Sequence, residues 1–351
     1  MTNKKRKTAA IIFGGTGHEH EVSLSGAEIV LPLAENESRR VIPVLITREG
    51  RWTIRNKDLT DTYPDEDRAV TVAPIRCERG SGFITERGEF IPIDVALPLL
   101  HGDGGEDGTV QGALATAGIK FVGCDTLTSA LSLDKAYTKL VAEHCGIPTA
   151  RWSLVIKGSE RYTKERAAAD AEERIGYPVF VKAACLGSSI GVFRVGSPKE
   201  LLSAIDEAAS LGDGRVLVEE AIDIECELEC AVLLTKNKHI VSAPAEIRCK
   251  DGFYDFGHKY HTEGCASSKT TAQPEAVALI KEYTARLSEA LGTRHLSRFD
   301  YFLSKSGEVI FNEVNTLPGF TASSMYARLI ENEGVPPKEL IDELLEDARE
   351  P

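Results

Sequence analysis

The sequence predicts an α/β protein of two or three domains, the first built on a parallel sheet. Three observations carry this. The chain has 351 residues, and one domain takes roughly 100–200. Through the first third, short apolar runs alternate with helix-period stretches, the pattern of strands joined by crossover helices. Two glycine-rich stretches, GGTGHEHEVS from Gly14 and HGDGGEDG from His101, each follow an apolar run. Ligands of parallel sheets bind beyond the carboxyl ends of the strands.

The elements follow in order. Residues 8–13 and 41–46 read as buried strands with a helix over 22–33 between them. Residues 95–99 form a further strand, 109–117 a helix and 120–122 a strand. From about residue 127 the pattern changes. A helix over 132–144 precedes strand 152–156, a helix over 163–174 and strand 179–182. The loop CLGSSIG leads to strand 192–195, helix 198–209 and strand 216–219. Strands 227–234 and 239–246, a helix over 275–291, a hairpin and a C-terminal helix complete the chain. Residues 249–273 lack periodicity, and a loop that long in a compact domain is usually a lid or disordered.

Composition narrows the classes. Hydrophobic residues make up 42% and charged residues 27%, which suits a packed chain and excludes disorder as the main state. The formal charge is −13. Nucleic-acid binding runs on phosphate neutralisation, so no nucleic-acid partner is expected, and an anionic ligand must meet a local cluster of cations. No apolar run reaches the roughly 18 residues of a membrane span. The basic start ahead of the first strand is not read as a signal peptide, because the apolar stretch is short and meets Gly14-Gly15. The eight cysteines include no CxxC pair and read as reduced thiols of a cytoplasmic protein.

The hairpin is the most informative feature. With Ser306-Gly307 as its two loop residues, Lys305 pairs with Glu308. Asp300 then falls opposite Glu313, and Arg298 opposite Asn315. Alternation puts these four on one face and Phe299, Tyr301, Leu303, Ile310, Asn312 and Val314 on the other. Opposed carboxylates repel unless a positive group lies between them. Two carboxylates and an amide oxygen suit Mg²⁺ or Mn²⁺ with phosphate. A polar face neutralised by Arg298 is the alternative.

Lys182 ends a strand before Gly187-Ser188-Ser189-Ile190-Gly191. A loop of small residues exposes backbone N–H groups to phosphate, and a plain hairpin turn is the alternative. Lys135 and Lys139, four residues apart, share a helical face. His18, Glu19, His20 and Glu21 show no third ligand for zinc.

Taken together, HGDGGEDGTVQG, FVGCD, DKAYTK, FVKAACLGSSIGV, FYDFGHKY, RFDYF and NEVNTLPGFT resemble the D-alanine–D-alanine ligases of the ATP-grasp superfamily, in family order and over nearly the whole chain. The resemblance implies a three-domain ATP-grasp fold: an N-terminal Rossmann-like substrate domain at 1–126, a central lid domain at 127–218, and a C-terminal domain at 219–351 with the metal and substrate sites. It implies ATP and two Mg²⁺ or Mn²⁺ as cofactors, D-alanine as substrate with D-serine as the alternative, and a homodimer. The γ-phosphoryl group passes to one D-alanine carboxylate, and the amine of the second attacks the acyl phosphate.

By motif, the resemblance gives Lys135 and Lys182 to the phosphates, with Ser188 and Ser189 in the loop that closes over them. It gives the strand of Glu219 and Glu220 to adenine and Glu227 to ribose. Asp300, Glu313 and Asn315 match the metal ligands, and Arg298 and the Gly319 N–H match the oxyanion donors. Glu21 matches the carboxylate that takes the first ammonium, with Ser188 and Tyr260 as partners. Lys259, Ser324 and Met325 fall at the second substrate, which His101 lines. Tyr260, where lactate-type members carry histidine, argues for an amide product, and Met325 for dialanine over D-alanyl-D-serine. Ala183, Cys226 and Ala327 replace residues usual in the family, and none removes a charged group assigned to chemistry.

Overall fold

The computed structural model describes residues 6–54, 69–188, 190–247, 266–267, 270–322 and 324–349. The first sheet holds β1 (Lys7–Gly14), β2 (Arg39–Ile46), β3 (Trp52–Ile54), β4 (Val70–Cys77), β5 (Gly80–Thr85), β6 (Phe90–Pro92) and β7 (Val95–Pro98). Its spatial order is β6-β5-β4-β3-β2-β1-β7. Only β2, β1 and β7 run parallel. The rest is an antiparallel extension, so the sheet is mixed where a parallel one is expected. Strands such as β4, half exposed along most of its length, gave no buried apolar run to read. The expected strand at 120–122 reduces to one bridge, Phe121 to Ala96.

Helix α1 (His20–Ala34) crosses from β1 to β2 and buries Ala27, Val30 and Leu31. Helix α2 (Thr109–Thr116) follows the second glycine-rich turn. The single helix expected at 132–144 is two, α3 (Thr126–Leu133) and α4 (Lys135–His144). Asp134 breaks them. Its backbone is extended, and its carboxylate accepts from Ala136 N at 2.8 Å and Tyr137 N at 3.2 Å. An aspartate N-cap satisfies otherwise orphaned donors, so Lys135 becomes the first residue of α4.

The second sheet holds β8 (Trp152–Ile156), β9 (Val179–Ala183), β10 (Val192–Val195) and β11 (Arg215–Glu220), ordered β10-β9-β11-β8. Helices α5 (Lys164–Asp170) and α6 (Pro198–Leu211) pack on it through Ala167, Leu201 and Ile205. The third sheet holds β12 (Ile224–Leu234), β13 (His239–Val241), β14 (Ala245–Ile247), β15 (Ala266–Ser267), β16 (His295–Ser304) and β17 (Val309–Asn315). Helix α7 (Pro274–Leu291) covers its apolar face through Ile280 and Leu287. The last helices, α8 (Met325–Asn332) and α9 (Pro337–Arg349), return to the first sheet. Tyr326, Leu329, Leu340 and Leu344 share a core with Ile11, Phe13 and Leu97. That return brings the turn after β17 against the glycine-rich loops of the first sheet.

The hairpin β16–β17 pairs Asp300 with Glu313 and Arg298 with Asn315, as expected. Its turn differs. Leu303 pairs with Val309 and Ser304 N bonds to Glu308 O at 2.9 Å. The loop therefore has three residues, and Gly307 is left-handed with φ 86°. A register shift lies between Asp300 and Tyr301, where Tyr301 faces Phe311. Asn312 is the extra residue of a β-bulge. Phe311 and Val309, rather than Ile310 and Asn312, join Phe299, Tyr301, Leu303 and Val314 in the core.

Candidate active site

Three acidic residues stand in a row across the third sheet, because Glu229 opposes Asp300 and Asp300 opposes Glu313. Such a row requires compensation. Arg298 grips Asp300 through Nε to Oδ1 at 2.8 Å and Nη2 to Oδ2 at 2.7 Å. Its Nε also lies 3.4 Å from Glu229 Oε2. Burial opposes the charge on Arg298, but Asp300 and then Glu229 outweigh it and hold the guanidinium protonated. Lys135 Nζ lies 3.1 Å from Glu313 Oε2 and donates to Leu186 O at 2.8 Å. Burial again opposes the ammonium, and Glu313 overcomes it. Asn315 Nδ2 donates to Asp300 Oδ2 at 3.1 Å, which leaves Oδ1 as the acceptor of that amide.

The second sheet contributes a buried cluster. Glu219 Oε2 is 2.6 Å from Lys182 Nζ, and Oε1 is 3.2 Å from Lys139 Nζ. Register across β9 and β11 places Glu219 beside Phe180 and Leu217 beside Lys182. Burial opposes the Glu219 charge, yet the two ammoniums hold its carboxyl down to about 2. A carboxylate between two cations leaves one net positive charge. Lys182 and Glu219 join Lys135, Glu220, Glu227 and Asn312 in lining a cleft of about 1970 Å³, part of it open to solvent. The Glu220 carboxylate is held from outside by Arg151, at 2.8 and 2.7 Å.

A second cleft adjoins the first at Lys135, Gly187, Ser188 and Glu313. Glu19, His101, Glu106, Arg298, Gly319, Ser324 and Met325 line it. Ser188 has φ 53°, an uncommon backbone region for a residue with a side chain. Its Oγ donates to Glu19 Oε1 at 2.5 Å. A Cβ on Gly319 would meet Ser324 Oγ at 2.7 Å, so only glycine permits this close approach. Ser324 Oγ also accepts from Thr321 N at 3.0 Å.

The structure thus brings together Lys135, Lys182, Ser188, Glu219, Glu220, Glu227, His101, Arg298, Glu313, Asn315, Gly319, Ser324 and Met325 around two joined clefts, with Asp300 held against Arg298 beside them. It does not bring Glu21 there. That carboxylate is 71% exposed and pairs with Arg48 at 2.6 Å. Glu19, two residues earlier, is the acid that meets Ser188. Ser189, Lys259 and Tyr260 lie outside the described residues. The sequence reading also missed Glu106 and Glu229. Glu229 is signalled by its spacing from Glu227, since residues two apart on a strand share a face. His20, weighed for zinc, is buried with Nδ1 2.6 Å from Gly15 O.

Comparison with known proteins fits this geometry. The model of the D-ala D-ala ligase N-terminus matches residues 8–124, and that of the D-ala D-ala ligase C-terminus matches 141–346. The chain belongs to the D-alanine–D-alanine ligase family. The D-alanine–D-alanine ligase of Caldicellulosiruptor bescii is 38% identical over 97% of this chain and 94% of its own. Among solved structures, the VanG D-Ala:D-Ser ligase from Enterococcus faecalis superposes with TM-score 0.87 at 35% identity, covering 98% of this chain and 100% of that one. The D-alanine–D-alanine ligase from Coxiella burnetii gives TM-score 0.85 at 26% identity, covering 98% of this chain and 94% of that one. The fold is therefore the ATP-grasp fold, and ATP use belongs to the family.

The family implies divalent metal, and the donors on β16 and β17 fit it. Glu313 and Asn315 line the second cleft and Asp300 pairs with Glu313 across the hairpin, so the three bring carboxylate and amide oxygens together, the hard donors Mg²⁺ takes when phosphate oxygens complete its shell. Among the described residues, no group of three His, Cys, Asp or Glu side chains is close enough to hold a metal alone. The phosphate of a bound nucleotide would supply the missing ligands. Among the described residues, no helix is long and apolar enough to cross a membrane.

Proposed function

We propose that the protein joins two D-alanines to D-alanyl-D-alanine at the expense of ATP, supplying a peptidoglycan precursor. The observation that carries this reading is the junction of the two clefts. One is lined by Lys135 and Lys182, and the other by Glu19, Arg298 and Gly319. The first suits a polyphosphate, the second an amino acid.

ATP lies along β9 and β11 with its phosphates at Lys135 and Lys182. The first D-alanine sets its ammonium on Glu19, which Ser188 fixes. A carboxylate oxygen of that D-alanine attacks the γ-phosphorus, and the bond to ADP breaks. Phosphoryl transfer of this kind is chiefly positioning and charge neutralisation. The amine of the second D-alanine then attacks the acyl phosphate carbon and loses a proton. The negative oxygen so formed meets Arg298 and the Gly319 N–H, since preorganised donors stabilise developing charge. The C–N bond is kept and phosphate leaves. Asp300, Glu313 and Asn315 would hold Mg²⁺ or Mn²⁺, which neutralises the transferring phosphoryl group.

Tyr260 as phenol and Met325, buried at the cleft, support dialanine as the product. The likeness to a D-Ala:D-Ser ligase supports D-serine as the second reading. The three-unit division at 1–126, 127–218 and 219–351, the metal pair, a homodimer and a cytoplasmic setting are carried by the family resemblance. Product analysis with ATP and equimolar D-alanine and D-serine tests the reading. D-alanyl-D-alanine as the main product supports it, and D-alanyl-D-serine in excess replaces it with the second.

A further inference from the structure

Glu106 is a buried acid that no step above uses. It belongs to the loop between β7 and α2, in the N-terminal third of the chain. Both of its carboxylate oxygens are taken by backbone donors. Oε2 accepts from Gly102 N at 3.0 Å, and Oε1 accepts from Leu317 N at 2.8 Å. The first bond ties the loop to itself. The second crosses to the turn after β17, two residues before Gly319 and two after Asn315. Gln111 steadies the loop from behind, its Nε2 donating to Gly105 O at 2.7 Å. Burial raises the Glu106 carboxyl to about 7, against the pull of the two N–H donors. Burying an acid here is costly, and the bonds it makes indicate what the cost secures.

Leu317 is also held at its carbonyl. His101 Nδ1 lies 3.0 Å from Leu317 O. A carbonyl oxygen can only accept, so Nδ1 must carry the proton. Burial lowers the pKa of His101, opposed by Glu19 and by the Leu317 carbonyl, while Arg298 lowers it further. The ring is therefore neutral, and Nε2 bears a lone pair. The ring lines the substrate cleft, with Cε1 3.9 Å from where a Cβ on Gly319 would sit.

We propose that Glu106 is a positioning residue of the ligation site: its carboxylate clamps the Leu317 N–H, which holds the Gly319 N–H on the cleft and sets the Leu317 carbonyl where it fixes His101 as the Nδ1–H tautomer. Nε2 of His101 is then the acceptor that the ammonium of the second amino acid meets. This rests on the ligase reading above. The clamp explains the order of residues in HGDGGEDG. His101 and Glu106 reach the backbone O and the backbone N–H of one residue, Leu317, from a single loop. A glutamine at 106 would keep the shape but not the bonding. Its amide presents one acceptor and one donor, so its NH₂ must face a backbone N–H. One of the two clamp bonds is lost.

The test has two arms. In wild-type protein without ligands, ¹⁵N NMR of the histidine rings, with His101 assigned by its loss in His101→Asn, reads the tautomer at neutral pH. A protonated Nδ1 and bare Nε2 are expected, and a protonated Nε2 overturns the proposal. The second arm is Glu106→Gln in steady-state dipeptide synthesis. Loss of an oxyanion donor costs roughly 10²–10³ in kcat, and a misplaced one is expected to cost at least about tenfold. KM for ATP should stay within about twofold, because the clamp lies on the amino-acid side, and the His101 ring signals should move. A kcat within twofold of wild type with unmoved signals overturns the clamp. If Glu106→Gln does not fold, the wild-type spectrum still decides. Should wild type make no dipeptide, the ligase reading fails, whereas the spectrum tests the clamp independently.

Discussion

Removing the Glu219 carboxylate should expose how much the nucleotide cleft depends on it. Glu219→Gln keeps the volume and takes away the one anion shared by Lys139 and Lys182. All three side chains are almost fully buried, at 2%, 1% and 11% exposure. The carboxyl is held at about 2 against an ordinary 4.5. That difference corresponds to about 3 kcal/mol of stability at neutral pH. Breaking a buried ion pair by removing one partner costs a similar roughly 3–5 kcal/mol. The two estimates share a cause and are not added. The sign follows from the depressed value. The contribution is complete above the unfolded pKa and is lost as pH falls through about 2. Urea unfolding of the ligand-free protein, followed by Trp152 fluorescence, should therefore show Glu219→Gln weaker by about 3 kcal/mol at pH 7, with the gap closing below about pH 4.5. Adding Lys139→Met should restore part of the loss, since one uncompensated ammonium then goes. A gap under about 0.5 kcal/mol at pH 7, or a double variant weaker than the single one, would refute the shared-anion argument.

Further outcomes follow from the same geometry. Glu19→Gln should raise KM for the first D-alanine by about tenfold or more, the scale of a charged hydrogen bond, while Glu21→Gln, whose partner is Arg48 on the surface, should stay within about twofold; the reverse ranking would return the role to Glu21. Glu313→Gln should lower the melting temperature, because it leaves the buried Lys135 ammonium without its carboxylate, and should weaken Mn²⁺ binding read by electron paramagnetic resonance, because an amide replaces a carboxylate donor; unchanged Mn²⁺ affinity would remove Glu313 from the metal set. Tyr260→His should raise ester formation with D-lactate most below about pH 7, since histidine gains charge near 6.5 and a cation disfavours an incoming ammonium; an ester-to-amide ratio flat with pH would count against it.

The fold was legible where one element buries one clear stripe. The alternation of β1, α1 and β2 is visible because Ile11, Ile12, Val44 and Leu45 form unbroken apolar runs around an amphipathic helix. It was not legible in β3 to β6, which are either very short, as β3 and β6, or partly exposed along their length, as β4 and β5. The α3–α4 break was hidden because Asp134 reads equally as a surface residue of one long helix. The pairing of Asp300 with Glu313 came out right by a compensation. The turn holds one residue more than Ser306-Gly307 implies, and the bulge at Asn312 returns that residue before Glu313 is reached. Turn composition fixes the register only up to the first bulge. The cost of missing it fell on Ile310, Phe311 and Asn312, whose faces were misassigned, while the acids beyond it kept theirs.

The choice between Glu19 and Glu21 shows why a motif needs its local structure before its residues receive roles. In Glu19-His20-Glu21 the two acids are chemically equal, and an extended chain would put both on one face. The chain is not extended there. Helix α1 starts at His20, with Glu19 as the residue before it and Glu21 in its first turn. At 3.6 residues per turn, two positions are roughly 200° apart, so the acids point to opposite sides. Ser23, two residues further, is fully buried and donates to Leu99 O at 2.5 Å while accepting from Gly14 N at 2.7 Å. Those bonds pin the start of α1 to the ends of β1 and β7, and with it the direction of Glu19. The acid at the helix entrance is the one the strand ends deliver to the cleft, and the acid inside the first turn is left to Arg48 and solvent.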